Sequence, residues 1–202
     1  PIEAGRTFAD FHLAWAKRHA AGFEHAPFGA DADRSASRPL NIGYVSPNFG
    51  VHSVASFIEP LLAAHDRAAF RIFCYSNIAY PDAVTRRLTG MCDAWRDIRR
   101  MSDSDVARMI RQDRIDILVD LAGHTGGARL LLFARKPAPV QATWLGYPDT
   151  TGIAEVDYRI TDADADPEGE ADALHSEKLV RLATGFLCYA PHADSPPVGK
   201  PP

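Results

Sequence analysis

A chain of 202 residues with 22 Lys and Arg against 26 Asp and Glu, net charge −4, is long enough for one α/β domain with a full core. Its mild acidity leaves no electrostatic footprint for nucleic acid, and no apolar run of about 18 residues offers a membrane span. The amino terminus carries Glu3 and Asp10 and lacks a secretory apolar core, while Cys74, Cys92 and Cys188 show neither metal-ligand spacing nor a disulfide framework, so they read as buried small hydrophobes in a reducing cytoplasm.

Residues 3–21 read as a helix with an apolar stripe of Phe8, Phe11, Leu13, Trp15 and Ala16 and with Lys17, Arg18 and His19 near its carboxyl end, where cations suit the dipole. Pro1 in place of an initiator Met is read as a start inside a longer protein. Residues 22–38, rich in Gly, Ala, Asp, Ser and Arg, read as a linker. From residue 39 strands and helices alternate. Leu40 to Val45 is strand-like, and Ser53 is placed to cap a helix from Val54 to about His65. Phe70 to Tyr75 is a second strand, followed by a helix over 83–91 and a short strand over 95–98. Ser102 opens a helix to about Gln112 with acids in its first turn. The run 115–121 is apolar enough for a central strand of a parallel sheet covered on both faces. A helix over 128–134 is broken by Lys136-Pro-Ala-Pro. Strands follow over 140–145, 156–161 and 178–182, and the proline-rich residues 191–202 read as a tail or linker. Strands separated by helices of this length imply βαβ units and a doubly wound, mostly parallel α/β sheet of Rossmann-like type.

In such a sheet the turns Ser46 to Ser53, Gly123 to Gly127 and Gly146 to Gly152 project from one edge, where ligands bind. They carry His52, His124 and the segment Leu145-Gly146-Tyr147-Pro148. The glycines let backbone approach a ligand. Gly123-His-Thr-Gly-Gly is neither a Walker loop nor G-x-G-x-x-G, and no G-x-S-x-G occurs. Asp162-Ala-Asp-Ala-Asp invites a metal, but it continues into Pro167-Glu-Gly-Glu without apolar framing and reads as a solvated acidic loop, so no metal ligand is assigned.

The stretches Gly43-Tyr-Val-Ser-Pro-Asn-Phe-Gly-Val-His and Lys136-Pro-Ala-Pro-Val-Gln-Ala-Thr-Trp-Leu-Gly-Tyr-Pro-Asp-Thr-Thr-Gly, with Asp157-Tyr-Arg-Ile-Thr-Asp and Ser176-Glu-Lys-Leu, resemble the catalytic region of protein O-linked N-acetylglucosamine transferases. The resemblance covers residues 39–190 and looks like a bacterial member. It implies a superhelix of tetratricopeptide repeats followed by two Rossmann-like lobes of GT-B type. Residues 1–38 would hold the end of the helical region and a linker, residues 39–190 the first lobe, and the second lobe would lie outside this chain. It implies metal-free, inverting transfer of N-acetylglucosamine from UDP-N-acetylglucosamine to protein Ser or Thr hydroxyls, with no cofactor.

By the same resemblance, His52 matches the active-site histidine, proposed in the family as a base, and His124, Leu145, Gly146 and Pro148 line the donor pocket. Asn48 stands where animal enzymes have an aspartate, and an amide cannot serve as a base. A further family histidine, ahead of the first lobe, has no match. Whether His52 takes a proton or donates to an oxyanion stays open at this level. Two alternatives stand beside this reading. Plant relatives sharing Gly-His-Thr transfer fucose from GDP-fucose, and a non-catalytic repeat scaffold would need no chemistry at all.

Overall fold

The computed structural model describes residues 2–23, 25, 28, 38–191, 195, 196 and 199. Most of the expected linker over 22–38 and of the tail over 191–202 lies outside the described residues. The elements are α1 (Ile2–His19), β1 (Leu40–Ser46), α2 (Ser53–Ala64), β2 (Phe70–Ser76), α3 (Ala83–Thr89), β3 (Ala94–Asp97), α4 (Asp103–Gln112), β4 (Ile117–Asp120), α5 (Leu130–Phe133), β5 (Val140–Trp144), β6 (Tyr158–Thr161), a 3-10 turn over Ala171–Leu174, and β7 (Lys178–Arg181).

All seven strands form one sheet in the order β3-β2-β1-β4-β5-β6-β7, and all six pairings are parallel. The sheet is therefore Rossmann-like throughout, with its order reversing between β1 and β4. Side-chain alternation feeds two cores. On one face Ile42, Tyr44, Ile72 and Val119 meet Ile58 and Leu62 of α2 and Leu88 of α3. On the other Val45, Tyr75 and Leu118 meet Ile110 of α4, Phe133 of α5 and Ala16 and Ala20 of α1. Strands covered on both faces account for the near-continuous apolar runs. After β7 the chain turns back over the first face: Trp144 Nε1 donates to the Phe186 carbonyl at 2.9 Å, and Tyr189 reaches the Phe57 ring.

Local signals explain most boundaries. Ser102 Oγ accepts from Asp105 N at 3.2 Å and caps α4. Asp82 and Thr85 form a reciprocal capping box on α3. Two expectations are corrected. The cap of α2 is His52, not Ser53: its Nδ1 accepts from Val54 N at 3.1 Å from extended backbone. The buried face of α1 also holds only part of the expected apolar stripe. Ala9, His12, Ala16 and Ala20 are buried and Trp15 packs against the core, whereas Phe8, Phe11 and Leu13 are exposed. Small side chains let α1 lie close on the loop after β5, where a Cβ on Gly152 would stand 2.6 Å from the His12 carbonyl oxygen.

That closeness is testable. Gly152 has φ +70°, so Gly152→Ala adds left-handed strain to a backbone clash and should lower the unfolding free energy by about 2–4 kcal/mol, read by urea denaturation, with faster amide exchange along α1. Wild-type stability and protection in that variant would show that α1 is held by other contacts.

Candidate active site at the strand carboxyl ends

In a doubly wound sheet the crevice opens at the carboxyl ends of the strands where the order reverses. Here that point lies between β1 and β4, and it is bordered by the loop 47–52 after β1 and the loop 121–129 after β4. The two loops touch: a Cβ on Gly127 would lie 3.0 Å from Pro47, and Asn77 Nδ2, after β2, donates to the Gly127 carbonyl at 2.8 Å.

Asp120, the last residue of β4, is 1% exposed. Its carboxylate accepts from Ala122 N at 3.1 Å, Gly123 N at 2.7 Å and Thr143 Oγ1 of β5 at 2.9 Å. Burial pushes its pKa up, against these hydrogen bonds, which favour the charged form. The carboxylate thus sets the turn that presents His124. The His124 ring stacks on His12 of α1, with centroids 4.1 Å apart and planes at 22°, and meets Trp15 and Tyr147 edge-on. His12 Nε2 lies 3.1 Å from the Tyr147 hydroxyl. Its Nδ1 is buried without a hydrogen-bond partner and stands 3.9 Å from Asp149 Oδ2.

Two protonation states follow from partners that play one role only. His124 Nε2 is 2.8 Å from the Thr151 carbonyl, which can only accept. Nε2 therefore carries the hydrogen, and the neutral ring keeps Nδ1 as an acceptor. His52 Nδ1 accepts from Val54 N–H, so its neutral ring carries hydrogen on Nε2 and acts there as a donor. The two histidines offer opposite hydrogen-bonding faces.

The loop after β5 is braced from the far strands. Leu145 sits at φ +73°, a left-handed conformation that costs a branched side chain about 1–2 kcal/mol. Gly146 follows because the backbone crosses β4's end so closely that a Cβ would stand 2.0 Å from the Leu121 carbonyl oxygen. Arg159 of β6, 4% exposed, donates to the Tyr147 and Asp149 carbonyls at 2.9 and 3.2 Å. Glu177, just before β7, accepts from Thr151 N and Thr150 Oγ1, both at 2.7 Å, and from the Thr151 hydroxyl.

The expected residues divide. His124 and the Leu145 to Pro148 segment come together, the ring of Tyr147 between them, with Pro148 exposed. His52 shares the sheet edge but has no recorded contact with them. It lines instead a groove of about 780 Å³ that is bordered by residues of α2, α3 and the segment Tyr189 to Pro191. The sequence reading missed His12, Arg159 and Glu177. A histidine on the small-residue side of α1 was the only local sign of the first. The aspartate run serves loop structure: Asp162 accepts from Asp164, Ala165 and Phe186 N–H groups, and Asp166 pairs with Arg159 and Thr161.

The chain is similar to proteins of a known family. Residues 8–194 match the profile of Glycosyl transferase family 41. The chain is 47% identical over 176 residues to a tomato (Solanum lycopersicum) protein named Probable UDP-N-acetylglucosamine--peptide N-acetylglucosaminyltransferase SPINDLY, covering 85% of this chain and 19% of that protein. It is 38% identical over 162 residues to the similarly named SEC protein of Arabidopsis thaliana, covering 79% and 16%. A solved mutant O-GlcNAc transferase from Thermobaculum terrenum superposes with a TM-score of 0.89 at 42% identity, over 94% of this chain and 36% of that one. The chain thus spans about a fifth of the length of these curated relatives.

Burial, the largest cause, lowers the pKa of His124 despite the Thr151 hydrogen bond, and burial likewise lowers that of His65. A depressed histidine is neutral in the fold, while the unfolded chain takes a proton near pH 6.5, so stability falls as pH drops below about 6.5 towards the folded value. His124→Phe keeps the stacked ring and removes the titration. It should therefore lose less stability between about pH 7 and 5 than the wild type, read by urea denaturation. An equal loss would assign the dependence to His65 and other groups.

Proposed function

Because the chain belongs to glycosyl transferase family 41, we propose that it forms one wall of the cleft of an inverting enzyme that moves N-acetylglucosamine from UDP-N-acetylglucosamine to Ser or Thr hydroxyls of proteins. A second lobe of the same protein supplies the other wall, and tetratricopeptide repeats precede this one. The setting is cytoplasmic, supported by three free thiols. Among the described residues no helix is long and apolar enough to cross a membrane. The observation that carries the reading is the pair of histidine-bearing loops flanking the point between β1 and β4 where the strand order reverses.

An inverting displacement needs an acceptor hydroxyl aligned opposite the leaving diphosphate, and donors aimed where negative charge develops. His52 meets the second need. Its Nδ1 is engaged by the backbone, so Nε2–H is the working end. It stands at the amino terminus of α2, whose dipole favours a phosphate. The proton-accepting role is therefore assigned away from His52, and Asn48 cannot take it. His124 offers an acceptor at Nδ1 to a hydroxyl of the bound sugar or the incoming protein. Leu145, Gly146 and Pro148 form the sugar side. The transfer is proposed without a metal or cofactor, a reading supported by Asp162 and Asp166 being committed to protein donors.

GDP-fucose is a second donor to weigh, because the Gly123-His124-Thr125 turn resembles that of plant relatives. Binding of UDP and GDP to the intact protein separates the two. Neither binding nor donor hydrolysis would favour an inert scaffold.

His52 has both a capping and a chemical role, and two variants separate them. In the intact protein His52→Ala should lower transfer by about tenfold or more and cost about 1 kcal/mol of stability as a lost cap. His52→Asn should restore the cap and the stability but not the transfer. Wild-type turnover in His52→Asn would reduce His52 to a cap.

A further inference from the structure

Cys74 and Cys92 have no spacing that marks a pair, yet their sulfurs lie 3.1 Å apart. Cys74 is in the middle of β2 and fully buried beneath α2 and α3. Cys92 lies in the connection from α3 to β3 and is half-buried. The register explains the meeting: Cys74 pairs with Trp95 across β2 and β3, so the chain returning from α3 must pass over the Cys74 side chain just before it enters β3. The connection is held there. Arg67 brackets Cys92, donating to the Met91 carbonyl on one side and to Asp93 Oδ2 at 2.8 Å on the other, and Asp93 Oδ2 also takes Ile72 N at 2.6 Å.

The two thiols differ as an attacking and a resolving thiol do. The hydrogen bond between the two sulfurs is the largest influence drawing the Cys92 pKa down, and the Arg67 guanidinium acts in the same direction. Burial pushes Cys74 up. Thiolate character therefore concentrates on the sulfur that solvent can reach.

We propose that Cys74 and Cys92 are a thiol pair that closes to a reversible disulfide on exposure to hydrogen peroxide. The Cys92 thiolate attacks the peroxide oxygen, the O–O bond breaks, and Cys92 becomes a sulfenic acid as hydroxide leaves. The Cys74 sulfur attacks the sulfenic sulfur, its proton leaves with the expelled hydroxyl as water, and the S–S bond forms. Two thiols are oxidised, one peroxide is reduced to two waters, and a cellular thiol reverses the step by exchange. The bond fastens the α3–β3 connection to β2 beside the groove, which Met91 and His52 both line. Exposed Arg67 and half-buried Cys92 leave an approach for the oxidant, and a transient disulfide of this kind suits a reducing compartment.

The test uses the intact protein, treated with hydrogen peroxide, alkylated, digested with trypsin without reductant and mapped by mass spectrometry. The expected product joins the peptide 72–86 to the peptide 88–96, two hydrogens lighter than their sum, and is lost on treatment with dithiothreitol. The oxidised protein should unfold at a higher temperature than the reduced one. In Cys92→Ser, which alters only a half-buried position, Cys74 should be recovered as an alkylated thiol after the same treatment. Recovery of both cysteines alkylated in the wild type would overturn the proposal. So would Cys92 as sulfinic acid beside alkylated Cys74, or a link from Cys92 to Cys188.

Discussion

The buried carboxylate of Asp120 is the contact on which the site depends. An ionised group without solvent is costly, and three donors offset that cost. Ala122 N–H serves one carboxylate oxygen, and Gly123 N–H and Thr143 Oγ1 share the other, so the end of β4, the turn after it and the end of β5 are joined through one side chain. His124 lies four residues after Asp120, and its ring gathers α1 and the loop after β5. Its ring holds α1 through His12. Its Nε2–H holds the Thr150 to Gly152 loop, which Glu177 and Arg159 tie to the strands at the sheet's edge.

Backbone atoms, more than other side chains, decide what the histidines can do. A carbonyl fixes the tautomer of one and an amide fixes that of the other. Two imidazoles of the same chemistry thereby become an acceptor and a donor on neighbouring loops. This division follows from loop geometry alone, so a residue change that shifts Thr151 or Val54 alters the chemistry without touching either ring.

Much of the fold was legible in the sequence. Apolar runs of strand length separated by helical periods pointed to a parallel sheet, and glycine-bearing turns pointed to its functional edge, because both signals are local. What was missed depends on contacts remote in sequence. Hydrophobicity ranked Phe8, Phe11 and Leu13 as the inner face of α1, but close approach to Gly152 selects alanines. Ser53 has the better capping propensity, yet the chain enters α2 one residue earlier and an imidazole nitrogen does the work. Arg159 and Glu177 look like ordinary surface charges until β6 and β7 place them under the loop after β5. Cys74 and Cys92 meet only because β2 and β3 are adjacent.

Glu177 also bears on how the site can come apart. It precedes the strand that pairs last along the sheet, and the Thr150 and Thr151 groups it receives are buried. A partly folded chain with β1 to β5 in place but β7 unpaired has no acceptor for them, so the carbonyl that orients His124 is not yet positioned. β7 is an edge strand, paired on one side only with β6. Local opening of that edge is therefore enough to abolish chemical competence while the central sheet stays intact.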